Sequence, residues 1–150
     1  MLTADENAFI HRVLKGDELA IAFCKDLFQV SQVWDDLYDR DKPVDRDVLN
    51  ATFWTVMVSI PSNPFYQRHF DVLNPLLQVA MVDWMDSNKL ASGEVEHRVA
   101  AYVLRDSVST ILIHCARLVG GYNWMREISI EVREALYDEP LRDFMEELKT

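Results

Sequence analysis

The chain has 150 residues and carries 15 basic against 25 acidic side chains, a formal net charge of −10. That length suits one ordinary domain, and only 4 Gly and 5 Pro argue against a turn-rich β-sandwich or a disordered chain. The acidic balance argues against nucleic acid or an anionic membrane surface as a partner, because both attract clusters of Lys and Arg.

The first two predicted helices begin at capping residues. Thr3 followed by Glu6 indicates a capping box, and Gly16 marks the end of this helix near Lys15. Asp17 is then predicted to cap a second helix, whose apolar stripe is centred on Trp34. The spacing of three and four residues along that stripe predicts one buried face. The stripe consists of Phe23, Leu27, Val30, Trp34, Leu37 and Tyr38, and it ends at the polar turn Arg40-Asp41-Lys42-Pro43.

A third helix is predicted between its cap, Asp45, and Pro61, which ends it. Trp54 and Val58 lie off its main apolar stripe, so this helix has more apolar surface than one core face uses. The main stripe consists of Leu49, Phe53, Val56 and Ile60.

Asparagine and proline divide the next part of the chain. Asn63 and Pro64 are typical of an N-cap and a first helical residue, which explains the NPxY pattern of residues 63–66 without a peptide-ligand role. Asn74-Pro75 repeats the pattern and predicts a break or a kink. Eight of the ten residues 76–85 are apolar and lie around the whole helix, which predicts a central helix or one in a subunit interface.

The longest predicted helix opens at Ser92 and Gly93 and ends at Val119, before Gly120-Gly121. A sixth helix is predicted from about Asn123 to Tyr137, and a last short one from Glu139-Pro140, with Leu141, Phe144 and Leu148 facing the core. Connections are short, and no segment alternates as a strand does. The sequence therefore predicts an all-α fold, a compact bundle of about seven helices in a single domain over residues 1–150.

Cysteine use and the N-terminus bear on the compartment. Cys24 and Cys115 lie in helical apolar patterns, which favours reduced, buried thiols, with a single bridge between them as the alternative. The N-terminus lacks a basic segment followed by an apolar one, and residues 108–119 are too short to span a bilayer. We therefore expect a cytoplasmic protein.

An acidic pattern at the end of the second helix is the main candidate for chemistry. Asp35, Asp36 and Asp39 form a DDxxD, which in prenyl-diphosphate and terpene synthases holds magnesium ions against a diphosphate. The resemblance covers five residues, and the chain lacks both the second acidic motif and the length of those enzymes. Small all-α nucleotide pyrophosphatases instead pair acidic residues at i and i+3, as Asp36 with Asp39 and Asp83 with Asp86 do here.

The alternative is that these carboxylates form a solvated face. At about 100° per residue, Asp36 lies roughly 200° from Trp34, and Asp35 and Asp39 lie roughly 100–140° away. If Trp34 faces the core, Asp36 points to water and the three carboxylates do not share one line. Under the metal hypothesis, the Mg²⁺ ligands are Asp35, Asp36 and Asp39, with Asp83 and Asp86 as a second pair; no other cofactor is expected.

Three further polar positions have simpler structural interpretations. Glu94 and His97 form an ExxH, but the single copy favours a role of Glu94 at the helix dipole over a di-iron site. Asp106, next to Arg105, favours an ion pair with an arginine from another helix, with a polar site that includes Ser109 and Tyr102 as the alternative. His114 is expected to be a core or boundary histidine whose ring nitrogens have hydrogen-bond partners.

Three stretches, VWDDLYDRDKPV at 33–44, NPFYQRHF at 63–70 and YVLRDS at 102–107, together resemble a group of short, uncharacterised helical proteins of tailed bacteriophages and prophages. The resemblance implies a bacterial cytoplasm or the virion as the compartment, and a part in virion assembly or in handling the host. It implies no catalytic residue.

We therefore expect a phage-type helical protein that acts through protein–protein association, in an assembly or accessory role, and forms a homo-oligomer. Leftover apolar residues at Trp54 and Val58, and at Val79 and Val82 further on, support this interpretation. The alternative is a Mg²⁺-dependent hydrolase of a diphosphate-containing small molecule. A second alternative, based on net charge alone, is an acidic decoy of a nucleic-acid-binding host protein.

Overall fold

The computed structural model describes residues 2–40, 42–136 and 139–149. All regular secondary structure in these ranges is helical, which confirms the all-α class. The chain forms two compact units, which meet in the sequence between Phe70 and Asp71. The single domain over residues 1–150 stays a prediction. Asp41, in the predicted polar turn, and Tyr137, the predicted end of the sixth helix, lie outside the described residues.

In the first unit, helix α1 spans Ala4–Val13 and helix α2 spans Glu18–Asp39. The capping box is confirmed, because Thr3 N–H donates to Glu6 Oε2 at 2.6 Å and Glu6 N–H donates to Thr3 Oγ1 at 3.2 Å. The left-handed backbone at Gly16, with a φ of 72°, closes α1. The predicted cap of α2 is confirmed as well, because the carboxylate of Asp17 accepts two backbone N–H groups of the first turn.

Helix α3 spans Arg46–Trp54, continues as a π-helical segment over Thr55–Ser59, and is followed directly by the short helix α4, Ile60–Ser62. The helical path ends at Ser62, one residue after Pro61, so the predicted end of the helix at this proline is confirmed to within one residue. Pro61 has no N–H for the carbonyl four residues before it, and a normal α-turn would also clash with its ring. The backbone widens just before this residue, where Ile60 N–H donates to the Thr55 carbonyl, five residues back.

Helix α5, Pro64–Arg68, packs on α2. The predicted cap is confirmed: Asn63 Oδ1 accepts from the backbone N–H groups of Phe65 and Tyr66 at 2.8 and 3.1 Å. Two aromatic rings of α5 then meet Phe23 of α2, at centroid distances of 6.2 Å for Phe65 and 5.2 Å for Tyr66. This buried aromatic group is the centre of the first unit's core.

The second unit contains helices α6, Phe70–Leu90, and α7, Val95–Leu104. The predicted break at Asn74-Pro75 is wrong, because α6 runs through Pro75 without interruption. The proline costs one backbone hydrogen bond, to the carbonyl of Asp71 in the exposed first turn, where water is available. Asn74 does not cap a new helix here; its Oδ1 accepts from Gln78 Nε2 at 2.8 Å.

Helix α8 spans Ser107–Leu136, and helix α9 spans Leu141–Glu147 and packs on α7. The long helix predicted to run unbroken from Ser92 to Val119 is wrong, because the chain leaves helical structure at Arg105 and Asp106. The predicted interruption at Gly120-Gly121 is confirmed by a φ of 85° and ψ of 179° at Gly121. Buried residues of this unit include Leu73, Ala101, Leu112, Cys115, Ile128, Val132 and Phe144.

Cys24 and Cys115 are both buried and unbridged, as the prediction of reduced thiols requires. Within the described helices, the stretch Val95–Glu147 contains an 18-residue window whose mean hydropathy of 1.2 suits a membrane span by length and composition alone. The helical path through this stretch is interrupted at Asp106 and at Gly121. The run between these two residues is shorter than the about 20 residues that a straight span requires.

Candidate functional site

The acidic pattern lies on the last two turns of α2. Asp35 and Asp36 are half-buried and Asp39 is exposed. Asp36 accepts a hydrogen bond from Gln32 Nε2 at 3.0 Å, so a side chain of its own helix already uses one of its oxygens. This contact is a normal i,i+4 pair on a helix surface and does not require a ligand.

The predicted orientation of α2 is wrong at its C-terminal end. Val33 is buried, Trp34 is half-buried, and Leu37 and Tyr38 are exposed. Helices α5 and α3 and the π-helical segment all pack on α2, but its fully buried residues are concentrated in the N-terminal half, at Ala20, Ile21, Phe23 and Cys24, with Val33 further on. Hence an apolar stripe with the correct period does not prove that every turn of the helix is covered.

The second predicted acidic pair, Asp83 and Asp86, lies on α6, with Asp83 half-buried and Asp86 exposed. In the described ranges, no three His, Cys, Asp or Glu side chains come close enough together to hold a metal ion. The hypothesis that Asp35, Asp36 and Asp39 bind Mg²⁺ stays a prediction, and its measurement is given below.

Glu94 and His97 occupy the start of α7. Glu94 is the exposed N-cap residue, and Glu96 follows in the first turn, where negative charge suits the helix dipole. The His97 ring lies against the backbone of Gly93: a Cβ at this glycine would be only 2.6 Å from His97 Nδ1. The close packing explains why a glycine fits immediately before the helix.

Asp106 interrupts the predicted long helix by capping its second half. Ser109 donates to the Asp106 carboxylate through both its hydroxyl and its backbone N–H, as a residue three positions after an N-cap does. Burial raises the pKa of Asp106, and the bonds from Ser109 and the charge of Arg133 partly oppose that rise. The positive charge of Arg133, from the far half of α8, acts on Asp106, but Asp106 Oδ2 is buried without a hydrogen-bond partner in the part of the chain that the structure describes, so the expected ion pair with an arginine stays a prediction.

His114 lies at the boundary of the second unit's core, half-buried on α8. Its Nδ1 is buried without a hydrogen-bond partner among the described residues. Burial lowers the pKa of His114, and the nearby positive charge of Arg117 lowers it further. The prediction of a boundary histidine is confirmed in position, but its ring nitrogen is not satisfied.

The most extensive unexplained feature of the first unit is an exposed apolar surface along the end of α3 and the π-helical segment. We call this surface the α3–π face. Two of the four residues predicted to face the core, Phe53 and Val56, are exposed on it, whereas Ile60 is buried. The face consists of Phe53 (63% exposed), Trp54 (63%), Val56 (43%), Met57 (70%) and Val58 (37%).

No charged residue lies in the sequence between Asp47 and Arg68, so the α3–π face belongs to a charge-free part of an acidic chain. Beyond it, an apolar groove is lined by Pro61, Tyr66, Gln67 and Phe70. Sequence reasoning identified Trp54 and Val58 as surplus but missed Phe53 and Met57. The absence of charge along this run was the signal that could have identified them.

Helix α6 has a second set of exposed apolar side chains. The residues 76–85 were predicted to lie in a central helix or in a subunit interface, and the buried positions of α6 are Leu73 and Ser87, outside that range. The exposed large apolar residues within the range 76–85 are Val79, Met81, Val82 and Met85. The central position is therefore wrong, and the interface stays a prediction.

Comparison with protein-family models, with curated proteins and with solved structures finds no match to this chain.

Proposed function

We propose that this protein acts through protein–protein association, and that it forms a homodimer through the α3–π face. The observation that carries the proposal is the exposure of two aromatic residues and Met57 side by side on one face. The resemblance to short phage and prophage proteins supports an assembly or accessory role for such a dimer, in a bacterial cytoplasm or a virion.

The size of the face supports an interface. Aromatic side chains contribute most of it, and the five residues together expose about 500 Å² of surface per copy. A patch of that size is at the upper end of what monomeric proteins expose. Two such patches joined would bury about 1,000 Å², which reaches the lower limit of specific interfaces.

Charge favours a second copy as the occupant. Two molecules with a net charge of −10 repel each other through most of their surfaces, and a charge-free face is where this repulsion is weakest. A basic partner would instead be attracted to the acidic parts of the chain. In a two-fold dimer the α3–π face of each copy packs against the α3–π face of the other, so no second binding surface is required.

Sedimentation equilibrium at micromolar concentration tests the proposal. We expect a mass of twice the monomer's 17.5 kDa. Trp54→Ser and Met57→Ser should each weaken the dimer, because central aromatic and methionine contacts carry much of an interface's binding energy. Ile130→Ser is the matched control, since Ile130 is 64% exposed and belongs to α8 of the other unit.

A monomer in the unmodified protein at these concentrations contradicts the proposal. A dimer that both serine variants at Trp54 and Met57 leave unchanged also contradicts it, because association would then use another surface.

A further inference from the structure

The apolar groove of the first unit follows the α3–π face directly along the chain. Pro61, which lines it, comes two residues after the π-helical segment, and α4 packs on that segment. The groove has a volume of about 440 Å³, and we call it the Tyr66 groove. Sites that hold a small ligand have volumes in this range, so the groove has room for one side chain of a partner. Its lining residues are Pro61, Tyr66, Gln67 and Phe70, and Phe70 is the last residue of the first unit.

Contacts within the first unit fix the walls of the Tyr66 groove. Gln67 Nε2 donates to the Pro61 carbonyl at 2.9 Å, which joins α5 to α4. Tyr66 is buried, and its ring stacks on Phe23 at a centroid distance of 5.2 Å. The Phe70 ring meets the Tyr66 ring edge-on, with the centroids 5.6 Å apart. The groove is therefore formed without a partner, and binding does not have to order its walls.

Met57 has the chemistry that suits this groove. It is the most exposed residue of the α3–π face, and it does not line the groove of its own chain. A methionine side chain is unbranched and adapts to irregular gaps, and its sulfur makes favourable contacts with aromatic rings. Tyr66 and Phe70 provide two such rings in the groove.

We propose that Met57 of each copy inserts into the Tyr66 groove of the other copy in the dimer. This inference rests on the proposed function, since it names the contact that pairs the two copies. Met57 lies four residues before Pro61, which is about one helical turn. In a two-fold dimer, residue i contacts residue j of the other copy and j contacts i. An axis that passes between Met57 and the groove therefore makes the same contact twice.

The area that a stable dimer needs supports this contact. Two α3–π faces bury about 1,000 Å² in total, whereas specific interfaces bury about 1,200–2,000 Å². Phe70 is 53% exposed. It adds about 100 Å² per copy, since an aromatic side chain buries about 150–250 Å² when fully covered. With the groove included, the interface reaches about 1,200 Å², and it covers no charged group because none of the lining residues is charged.

Disulfide cross-linking between two variants tests the contact. Met57→Cys and Gln67→Cys proteins are mixed in equal amounts and oxidised, and covalent dimers are measured on a non-reducing gel. The mixture should form them about tenfold faster than either variant alone, because a disulfide requires two Cα atoms within about 7 Å. The native cysteines Cys24 and Cys115 are fully buried and do not compete. In the control mixture, Ile130→Cys, at a similarly exposed residue of the other unit, replaces Met57→Cys and should react slowly.

Sedimentation equilibrium of Phe70→Ala is a second test, which leaves the hydrogen bond between Gln67 and Pro61 in place. The dissociation constant of the dimer should rise about tenfold, because the groove loses one of its two rings. Tyr122→Ala is the matched control, since Tyr122 is an exposed aromatic residue of the other unit. This variant should keep the constant within about twofold of the unmodified protein.

The outcomes separate this contact from the dimer itself. A dimer in which Met57→Cys alone cross-links as fast as the mixture would overturn the contact but keep the dimer, since the two Met57 side chains would then face each other. A mixture no faster than its Ile130→Cys control, or a Phe70→Ala dimer of unchanged affinity, would also overturn only the contact. A monomeric unmodified protein would overturn both the proposed function and the contact.

Discussion

Asn63 Nδ2 donates to the backbone carbonyl of Leu19 at 3.0 Å, across 44 residues of sequence. The oxygen of the same side chain caps α5, so one buried amide both starts that helix and attaches it to the first turn of α2. Local capping and long-range packing in the first unit therefore depend on the same residue.

Asn63→Ala should destabilise the first unit by about 2–3 kcal/mol, since it removes an N-cap and a buried tertiary hydrogen bond together. Asn63→Asp keeps the capping oxygen but loses the donor to Leu19, so its loss should be smaller than that of the alanine variant. Asn50→Ala, at an exposed asparagine of α3, is the control and should stay within about 0.5 kcal/mol. Urea denaturation measures all three; equal losses for alanine and aspartate at position 63 would mean that the cap contributes nothing.

Phe23→Ala should cost about 3–5 kcal/mol of unfolding free energy, because Phe23 is fully buried against Phe65 and Tyr66. Trp34→Ala should cost clearly less, about 1–3 kcal/mol, because Trp34 is only half-buried. Thermal and urea unfolding of the two variants measures the difference. A larger loss at Trp34 would show that the C-terminal half of α2 is covered after all.

Mg²⁺ should produce no saturable rise in melting temperature up to millimolar concentration, because Asp39 is exposed to water and Gln32 already donates a hydrogen bond to Asp36. Asp35→Asn and Asp39→Asn should unfold at nearly the same temperature as the unmodified protein, with or without the ion. A saturable rise that both variants abolish would support the magnesium-dependent hydrolase instead. Release of phosphate or pyrophosphate from a nucleotide panel would then be the next assay.

Acid should weaken the second unit through His114. Burial lowers the pKa of this histidine in the folded chain below its ordinary value of 6.5. Its contribution to stability is therefore complete above pH 6.5 and is lost as the pH falls through the pKa of the folded state. His114→Gln should reduce this acid sensitivity, measured as the shift of the urea midpoint between about pH 7 and about pH 5. The comparison is best made in a Glu139→Gln background. The pKa of Glu139 is raised in the folded chain, so the contribution of Glu139 to stability is lost as the pH rises, opposite to that of His114. An unchanged shift in that background argues against a role of His114.

Local features of the sequence determined the class of fold and many of the helix ends. Thr3, Asp17 and Asn63 were identified as caps because an N-cap side chain binds backbone groups only two or three residues away. The φ of Gly121 likewise matches the predicted interruption of the helix. Such interactions are contained in a few consecutive residues, so a single sequence is enough to predict them.

Tertiary structure decided which apolar faces are covered and what surrounds each ionisable group. The period of a stripe identifies a face but not whether another helix reaches it, so Phe53 and Tyr38 are exposed although both were assigned to apolar stripes. The pKa of Glu139 is raised by burial and by the negative charges of Glu147 and Asp143, and its position in the sequence does not indicate this. Burial and electrostatic coupling depend on the whole surroundings of a side chain, and only the folded chain supplies those surroundings.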